Sequence, residues 1–395
     1  MRLSSTRLLA SLVGLLTIIG VVGIAQSLPR RAWLDRTGWS EIAPSDLRVA
    51  GVFADLQSHG LGAALDSLKA QSSRDSLVLR AGHQLAHALG RQALLANHAD
   101  AAVIGECRPL FSSGCYHGVV EAYLGVRGTI DMPALDAMCR KAGDEEHPGP
   151  VHECMHGLGH GILGALRMNA TQSLHYCEQL ELERYATSCY EGVFMEAVSS
   201  ALDHPHRHPG QVHTRGSDEH ASSDMSHGVI GRLAIDSSDP YSPCRSVQAP
   251  YARSCWLFQG FLILRRVAFN ARKAFDLCAA APAGWAPRCA ESVGHQLTGL
   301  FQQDDGWIRS KCNEATGALV SSCIEGALYA LVAGDWSGAS GVRLCASLEK
   351  AHTFQCFRAL GPLLQAVAPK GQQASACGRA EPAFQVACMS SRGPT

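Results

Sequence analysis

The fold is decided by a stretch of sequence that recurs along the chain, NARKAFDLCAAAPAGWAPRC at residues 270–289. Its first half carries apolar residues at Ala271, Ala274 and Phe275, which is the spacing of a helix face rather than of a strand. A loop rich in proline, glycine and alanine follows, and the second cysteine then opens another apolar segment. The stretch therefore predicts a helical hairpin with one cysteine at the end of the first helix and one at the start of the second.

The 16 cysteines repeat this hairpin along the 395 residues. Five consecutive pairs have ten residues between their members, and most pairs begin 32 to 38 residues after the previous one. A period in the thirties is typical of stacked helical hairpins. We therefore predict one disulfide within each unit. The expected pairs are Cys107 with Cys115, Cys139 with Cys154, Cys177 with Cys189, Cys244 with Cys255, Cys278 with Cys289, Cys312 with Cys323, Cys345 with Cys356, and Cys377 with Cys388.

The predicted fold is all-α, a right-handed-type α-solenoid of about nine to ten helical hairpins with one disulfide in most of them. One step between pairs is twice the period, and Met225 occupies a cysteine position within it, so a hairpin without a bridge is expected there. Another cysteine-free hairpin is expected before Cys107. The predicted organisation is a linker with a short helix (31–60), N-terminal repeats (61–235) containing a His-rich inserted loop (203–223), and C-terminal repeats (236–395).

The compartment is indicated by the cysteines and by the N-terminus. So many thiols are rare in a reducing cytosol. Residues 8–25 are almost wholly apolar and follow Arg2 and Arg7, so residues 1–30 are predicted to be a signal peptide or a membrane anchor. We expect an extracytoplasmic protein, periplasmic or secreted, that meets a membrane only through this segment. The formal net charge of −1 does not indicate the basic surface that nucleic-acid binding requires.

The repeated cysteine hairpin resembles disulfide-stapled members of the Sel1-like and TPR-like helical repeat proteins, over residues 60–395. The resemblance is one of architecture, and it implies a concave face that binds a partner protein or peptide. The ten-residue cysteine spacing and the lack of a Sel1 or TPR consensus set this chain apart from those families.

Candidate metal ligands emerge when the hairpins are aligned on the second cysteine of each pair. Histidine or glutamate stands two residues after that cysteine position in six units, and a second one often stands one helical turn later. Residues four apart share a helix face, so neighbouring helices would present paired ligands for Fe, Zn, Cu or Mn. The predicted ligands are His83, His87, His117, Glu121, His156, His160, Glu191 and His227.

The function predicted from this pattern is that of an exported metal-binding repeat protein. It could be a metal-dependent enzyme, oxidative or hydrolytic, with Glu121 or Glu191 as ligand or general base. One alternative is a non-enzymatic scaffold for a protein or peptide, and another is a periplasmic metal carrier or sensor that uses the His-rich loop. A structural interpretation also stays open, because glutamate near a helix N-terminus is favoured by the helix dipole. It is the preferred interpretation for Glu291, His295 and Glu325, which lie in the C-terminal units.

Overall fold

The computed structural model describes residues 44–200, 233–301 and 304–390. These ranges contain seventeen α-helices and two short 3-10 helices, and no strand, so the predicted all-α class is confirmed. The α-helices are α1 (Ala50–His59), α2 (Leu61–Ser72), α3 (Ser76–Ala96), α4 (Gly114–Arg127), α5 (Met132–Arg140), α6 (Pro148–Ala165), α7 (Ala170–Cys177), α8 (Glu183–Ser200), α9 (Ala249–Arg266), α10 (Ala271–Ala279), α11 (Ala286–Phe301), α12 (Asp305–Cys312), α13 (Leu319–Gly334), α14 (Ala339–Ser347), α15 (Lys350–Val367), α16 (Gln372–Cys377) and α17 (Pro382–Met389).

Each regular unit pairs a short outer helix with a longer inner helix. An Asn or Asp side chain starts several outer helices; the Asp304 carboxylate, for example, accepts a hydrogen bond from the Trp307 amide at 2.8 Å. The outer helix ends at or near the first cysteine, and the second cysteine lies in the first half of the inner helix in every unit except the last, where Cys388 is near the end of α17. The bridge therefore ties the two helices together at the turn between them.

All eight predicted disulfides form, with Cα–Cα distances of 5.3 to 5.7 Å, and no cysteine is free. The second cysteine of every pair is fully buried or nearly so, which places each bridge inside the stack. The repeat spacing therefore identified the covalent connectivity correctly. The observed bridges join Cys107 to Cys115, Cys139 to Cys154, Cys177 to Cys189, Cys244 to Cys255, Cys278 to Cys289, Cys312 to Cys323, Cys345 to Cys356, and Cys377 to Cys388.

Two units depart from the predicted hairpin. Before the bridge from Cys107 to Cys115 the first arm is the 3-10 helix Ala101–Glu106, and at the bridge from Cys244 to Cys255 it is the 3-10 helix Cys244–Ser246. Residues 233–243 carry two prolines among Asp and Ser, and this composition favours turns over a helix. A cysteine bridge therefore does not require an α-helix on both sides.

Glycines in the inner helices allow adjacent backbones to cross closely. A Cβ on Gly326 of α13 would overlap the Glu291 carbonyl of α11, and a Cβ on Gly294 of α11 would overlap the Cys323 carbonyl. A Cβ on Gly192 of α8 would likewise overlap the carbonyl oxygen of residue 156 in α6. The glycine that recurs three residues after the second cysteine thus serves helix packing.

We expect the substitution Gly326→Ala to destabilise the protein by about 1–3 kcal/mol, because the added methyl group forces α11 and α13 apart. The matched control is Gly125→Ala in α4, where no neighbouring atom lies within 4 Å of the new Cβ. This control should raise stability by up to about 1 kcal/mol through the lost freedom of glycine. Urea unfolding of the oxidised variants measures both changes, and equal midpoints would contradict the packing role.

The inner helices of the stack curve until they close on themselves. Successive inner helices from α6 through α8, α9, α11 and α13 to α15 pack side by side, and α15 then packs against α6. At the closure the Lys370 amide donates to the Glu146 carbonyl at 2.7 Å, and the Lys370 ammonium lies 2.6 Å from the Glu146 carboxylate. Gly149 of α6 sits directly against Trp336. The solenoid is therefore a closed ring of six helices, to which α3 and α4 are added on the N-terminal side.

The ring encloses a cavity of about 280 Å³. Most of its lining is apolar, including Met195, Phe258, Phe261 and Leu363. Polar side chains from α3, α6, α11 and α13 also reach it. The stack thus forms a small, partly open chamber lined by its inner helices.

Several predicted features fall outside the described residues. They are the signal peptide or anchor at 1–30, the His-rich loop at 203–223, the cysteine-free hairpin around Met225, and His227. Within the described part of the linker prediction, α1 occupies residues 50–59. No helix in the described ranges combines the length and the apolar character needed to cross a membrane.

Candidate metal centre

Five histidines from three neighbouring inner helices meet beside the cavity. His83 and His87 lie one turn apart on α3, His117 lies on α4, and His156 and His160 lie one turn apart on α6. Their nitrogens form two groups, each with all ligand atoms within 4.8 Å of one another. The first group is His83, His87 and His117, and the second is His117, His156 and His160. His117 belongs to both groups, so it stands at the middle of the cluster.

In two of these rings, His83 and His160, the hydrogen-bond partner of Nδ1 determines the position of the proton. His83 Nδ1 lies 2.8 Å from the Phe111 carbonyl oxygen, which can only accept. His160 Nδ1 lies 3.1 Å from Glu196 Oε2, and His87 Nδ1 lies 3.3 Å from Glu121 Oε1 in an ion-pair contact. The Nδ1 atoms of His83 and His160 therefore carry the proton, and the Nε2 atoms of these two rings present their lone pairs to the centre. A carboxylate or carbonyl behind the distal nitrogen is the usual support of a metal-binding histidine.

Within each group the distances between the inward-facing nitrogens suit a shared cation. His87 Nε2 lies 3.1 Å from His83 Nε2 and 3.1 Å from His117 Nδ1, and His156 Nε2 lies 3.2 Å from His160 Nε2. Two nitrogens at tetrahedral positions around zinc, each at about 2.0–2.1 Å, are separated by roughly 3.3 Å. The lone pair of His83 Nε2 faces His87 Nε2, so a cation between these two nitrogens would be bound by both. The donor set therefore fits a transition metal.

Burial keeps the middle of the cluster uncharged. His117 is 1% exposed, and burial, together with the neighbouring His160, lowers its pKa well below the ordinary value. Burial and His160 likewise lower the pKa of His156. A neutral imidazole is the form that binds a metal ion, so no proton has to be displaced from these rings at neutral pH. The Nε2 of His117 is buried and has no hydrogen-bond partner among the described residues.

The two glutamates predicted as ligands occupy different places. Glu121 points at the back of His87, and its other oxygen accepts a hydrogen bond from Arg91 Nη2 at 3.1 Å. Glu191 of α8 accepts a hydrogen bond from Tyr329 Oη of α13 at 2.7 Å. Neither belongs to the two convergent groups in the described residues. The structure thus brings the five histidines together and places Glu121 behind them.

The cluster opens on the ring cavity through its two half-buried members. His83 and His156 both line the cavity, whereas the other three histidines are buried behind them. Glu153, His295 and Tyr329 line other parts of the wall. A small molecule in the cavity would therefore meet the metal centre at one end.

Buried ionisable groups surround the cavity. Burial raises the pKa of Glu153 to about 8 and the pKa of Glu191 to about 7. Burial lowers the pKa of His295 to about 4. Carboxyl groups that titrate near neutral pH are typical of functional sites. In the C-terminal units Arg288 pairs with Glu291 on α11, in agreement with the structural interpretation of that glutamate.

Sequence reasoning missed two features of the centre. Glu196 stands seven residues after Cys189, one position beyond the aligned row, and only its contact with His160 identifies it. Residues 152–156 read His-Glu-Cys-Met-His, which is the His-Glu-x-x-His arrangement. Cys154 lies in the middle of this motif. The repeat pattern concerns positions after the second cysteine, so it includes His156 but not His152 or Glu153. The motif itself was the signal that could have identified Glu153.

The eight disulfides indicate an oxidising, extracytoplasmic environment. The all-helical, regularly bridged stack agrees with the architecture expected from the Sel1-like and TPR-like resemblance. No protein-family model, no curated protein and no solved structure matches the chain.

Proposed function

We propose that the protein is an exported metal-binding helical-repeat protein that acts as a metal-dependent enzyme, oxidative or hydrolytic. The observation that carries this proposal is the convergence of five imidazoles from α3, α4 and α6 in two groups that share His117, with ligand atoms within 4.8 Å of one another in each group. Such convergence is what separates a metal site from a ladder of polar residues along a solenoid. Its opening on a cavity of small-molecule size supports catalysis over simple storage.

In this proposal the ligands are His83, His87, His117, His156 and His160. Glu121 and Glu196 act behind them, holding the rings of two of these histidines in the ligand orientation. The nitrogen-only donor set favours Zn, Cu or Fe, and it suits Mn less well, because Mn prefers oxygen ligands. The ligand role predicted for Glu121 thus becomes an orienting role, and the catalytic role predicted for Glu191 stays a prediction.

Export would depend on the N-terminal segment. We propose that residues 8–25 direct the chain out of the cytoplasm, as a cleaved signal or as an anchor.

The alternative scaffold function requires a concave face open to a partner protein. The contact between α15 and α6 leaves the inner face around a chamber of about 280 Å³, which is a better match to a small molecule.

The test of the proposal is metal content. The full chain, exported to an oxidising compartment and passed over a chelating column, should retain one or two equivalents of a transition metal by elemental mass spectrometry. A protein without metal, and unable to take up Zn²⁺, Cu²⁺ or Fe²⁺ when these are supplied, would contradict the proposal and leave the scaffold as the better function.

The carboxylates of Glu121 and Glu196, which contact His87 and His160, are predicted to strengthen metal binding without binding the metal themselves. We expect Glu121→Gln and Glu196→Gln each to weaken metal binding about 10–100-fold, because the amide supports the ring orientation and the basicity of its histidine less well. Competition with a chromophoric chelator measures the change in affinity. Glu178→Gln, which alters an exposed glutamate outside the cluster, is the control and should bind metal as the wild type does. Unchanged affinity in both buried variants would contradict the orienting role.

A further inference from the structure

Glu153 lines the cavity and belongs to the same helix as the cluster histidines His156 and His160. It lies on α6 three residues before His156, so the two side chains lie on the same face of the helix in successive turns. Glu153 and His156 both line the cavity. In a His-Glu-x-x-His helix the glutamate acts as the general base beside a metal ion. Here the histidine that converges with His156 is His160 rather than His152, and Glu153 precedes that pair.

The surroundings of Glu153 set it apart from a structural carboxylate. It is 7% exposed, and no Lys, Arg or His in the described part of the chain lies within ion-pair distance of it. A buried carboxyl group without a countercharge costs stability and rarely persists without a role. The neighbouring acids Glu121 and Glu196 each contact a histidine of the cluster, and Glu291 contacts an arginine. Glu153 therefore differs from these three acids in having no cationic partner among the described residues.

The shape and lining of the cavity limit what can bind there. Its volume of about 280 Å³ is at the lower end of ordinary ligand pockets, which span roughly 300–1,000 Å³. A folded polypeptide does not enter such a space. Phe258, Phe261 and Met195 offer an apolar surface, while the imidazoles of His83 and His156 mark one polar end. The arrangement suits a small molecule with an apolar body and one polar, reactive group.

We propose that Glu153 transfers the proton in the hydrolysis of a small, largely apolar ester or amide bound in the ring cavity. This inference rests on the proposed metal-dependent function and selects its hydrolytic form. The metal ion, when bound, would polarise the carbonyl group or the water. The apolar acyl group would lie against the phenylalanines, with its carbonyl carbon at the histidine end.

The reaction balances with water as the only co-reactant. A water molecule adds to the carbonyl carbon, and the Glu153 carboxylate accepts one of its protons as the new C–O bond forms. The bond from that carbon to the ester oxygen or amide nitrogen then breaks. Glu153 returns its proton to the departing alkoxide or amine, so the products are a carboxylic acid and an alcohol or amine. Burial raises the pKa of Glu153 to about 8, so the ionised carboxylate accepts the proton in the first step and the neutral acid returns it in the second.

The experiment uses the metal-loaded full chain and 4-nitrophenyl esters of straight-chain acids with about two to twelve carbons, together with the matching 4-nitroanilides. The release of nitrophenol or nitroaniline is followed with and without the metal. We expect metal-dependent turnover that rises with acyl length and then falls as the chain exceeds the cavity. Glu153→Gln should lower kcat by at least about 100-fold, with its metal content unchanged.

Two further variants keep the test decisive. Glu153→Asp retains a carboxyl group that is one methylene shorter, and it should fold and keep partial activity even if Glu153→Gln is unstable. Glu325→Gln changes a partly buried glutamate whose pKa burial also raises, to about 7, but which does not line the cavity. This control should hydrolyse the esters at the wild-type rate.

The outcomes separate the two proposals. A chain without metal overturns the proposed function itself. A metal-loaded chain that hydrolyses no ester or anilide in the series overturns only the present inference. Metal-dependent hydrolysis that Glu153→Gln and Glu153→Asp leave within about threefold of wild type also overturns the role of Glu153.

Discussion

Replacing His117 by alanine is expected to remove all tightly bound metal from the protein. His117 is the one histidine shared by both convergent groups of the described residues, so its loss leaves each group with two imidazoles. Losing a ligand should weaken binding by more than the 10–100-fold expected for a supporting residue. Elemental mass spectrometry of the full chain after gel filtration should find less than about a tenth of the wild-type metal.

Two comparisons keep this result interpretable. His295→Ala removes a histidine that lines the cavity but belongs to neither group, and it should retain metal at the wild-type level. His117→Gln fills the same buried space more closely, and it should show the same loss if the imidazole itself is needed. Far-ultraviolet circular dichroism establishes that the variants are folded. A folded His117→Ala protein with its full metal content would refute the proposed ligand set.

Complete reduction of the disulfides is expected to unfold the protein at room temperature. The eight bridges close loops of 8 to 15 residues, and loops of this length contribute about 2.5–3 kcal/mol each in the chain-entropy account. Together they contribute roughly 20 kcal/mol, whereas the net stability of a protein is about 5–15 kcal/mol. Circular dichroism before and after incubation with a strong reductant should show loss of the helical signal.

A single bridge should matter much less than the set. Serine at both Cys377 and Cys388, which join the last hairpin of the stack, removes one loop constraint where fewest helices pack. We expect this variant to stay folded and to lose at most about 3 kcal/mol. A fully reduced protein that melts at the temperature of the oxidised one would show that the helix packing alone maintains the fold.

Much of this architecture could be predicted from local sequence patterns. The cysteine spacing identified the hairpins and all eight bridges, because each bridge joins residues only 8 to 15 apart; the bridge from Cys107 to Cys115 is the shortest. The aligned positions after the second cysteine identified five histidines that do converge. These patterns are readable because a repeat records in each unit the same local helix, turn and crossing geometry.

The parts that were not predicted depend on contacts between distant residues. Lys370 and Glu146, which meet where α15 reaches α6, are separated by 224 positions, and the hydrogen bond from Tyr329 to Glu191 spans 138. A further contact joins the Glu196 carboxylate of α8 to the imidazole of residue 160 in α6. The repeat pattern predicts each of these helices but not the contact between them. Whether a stack of hairpins remains open or closes depends on small rotations between neighbours, summed over the array.

Residue spacing along one or two helices thus sufficed to predict the helical class, the disulfide pairing and the histidines of the centre. Only the tertiary structure decided that the stack closes into a ring around a cavity, and that Glu121 and Glu196 stand behind the histidines. It also decided that Glu153 faces the chamber. The physical reason is that curvature and side-chain convergence arise from the packing of many helices together, and no single repeat contains that information.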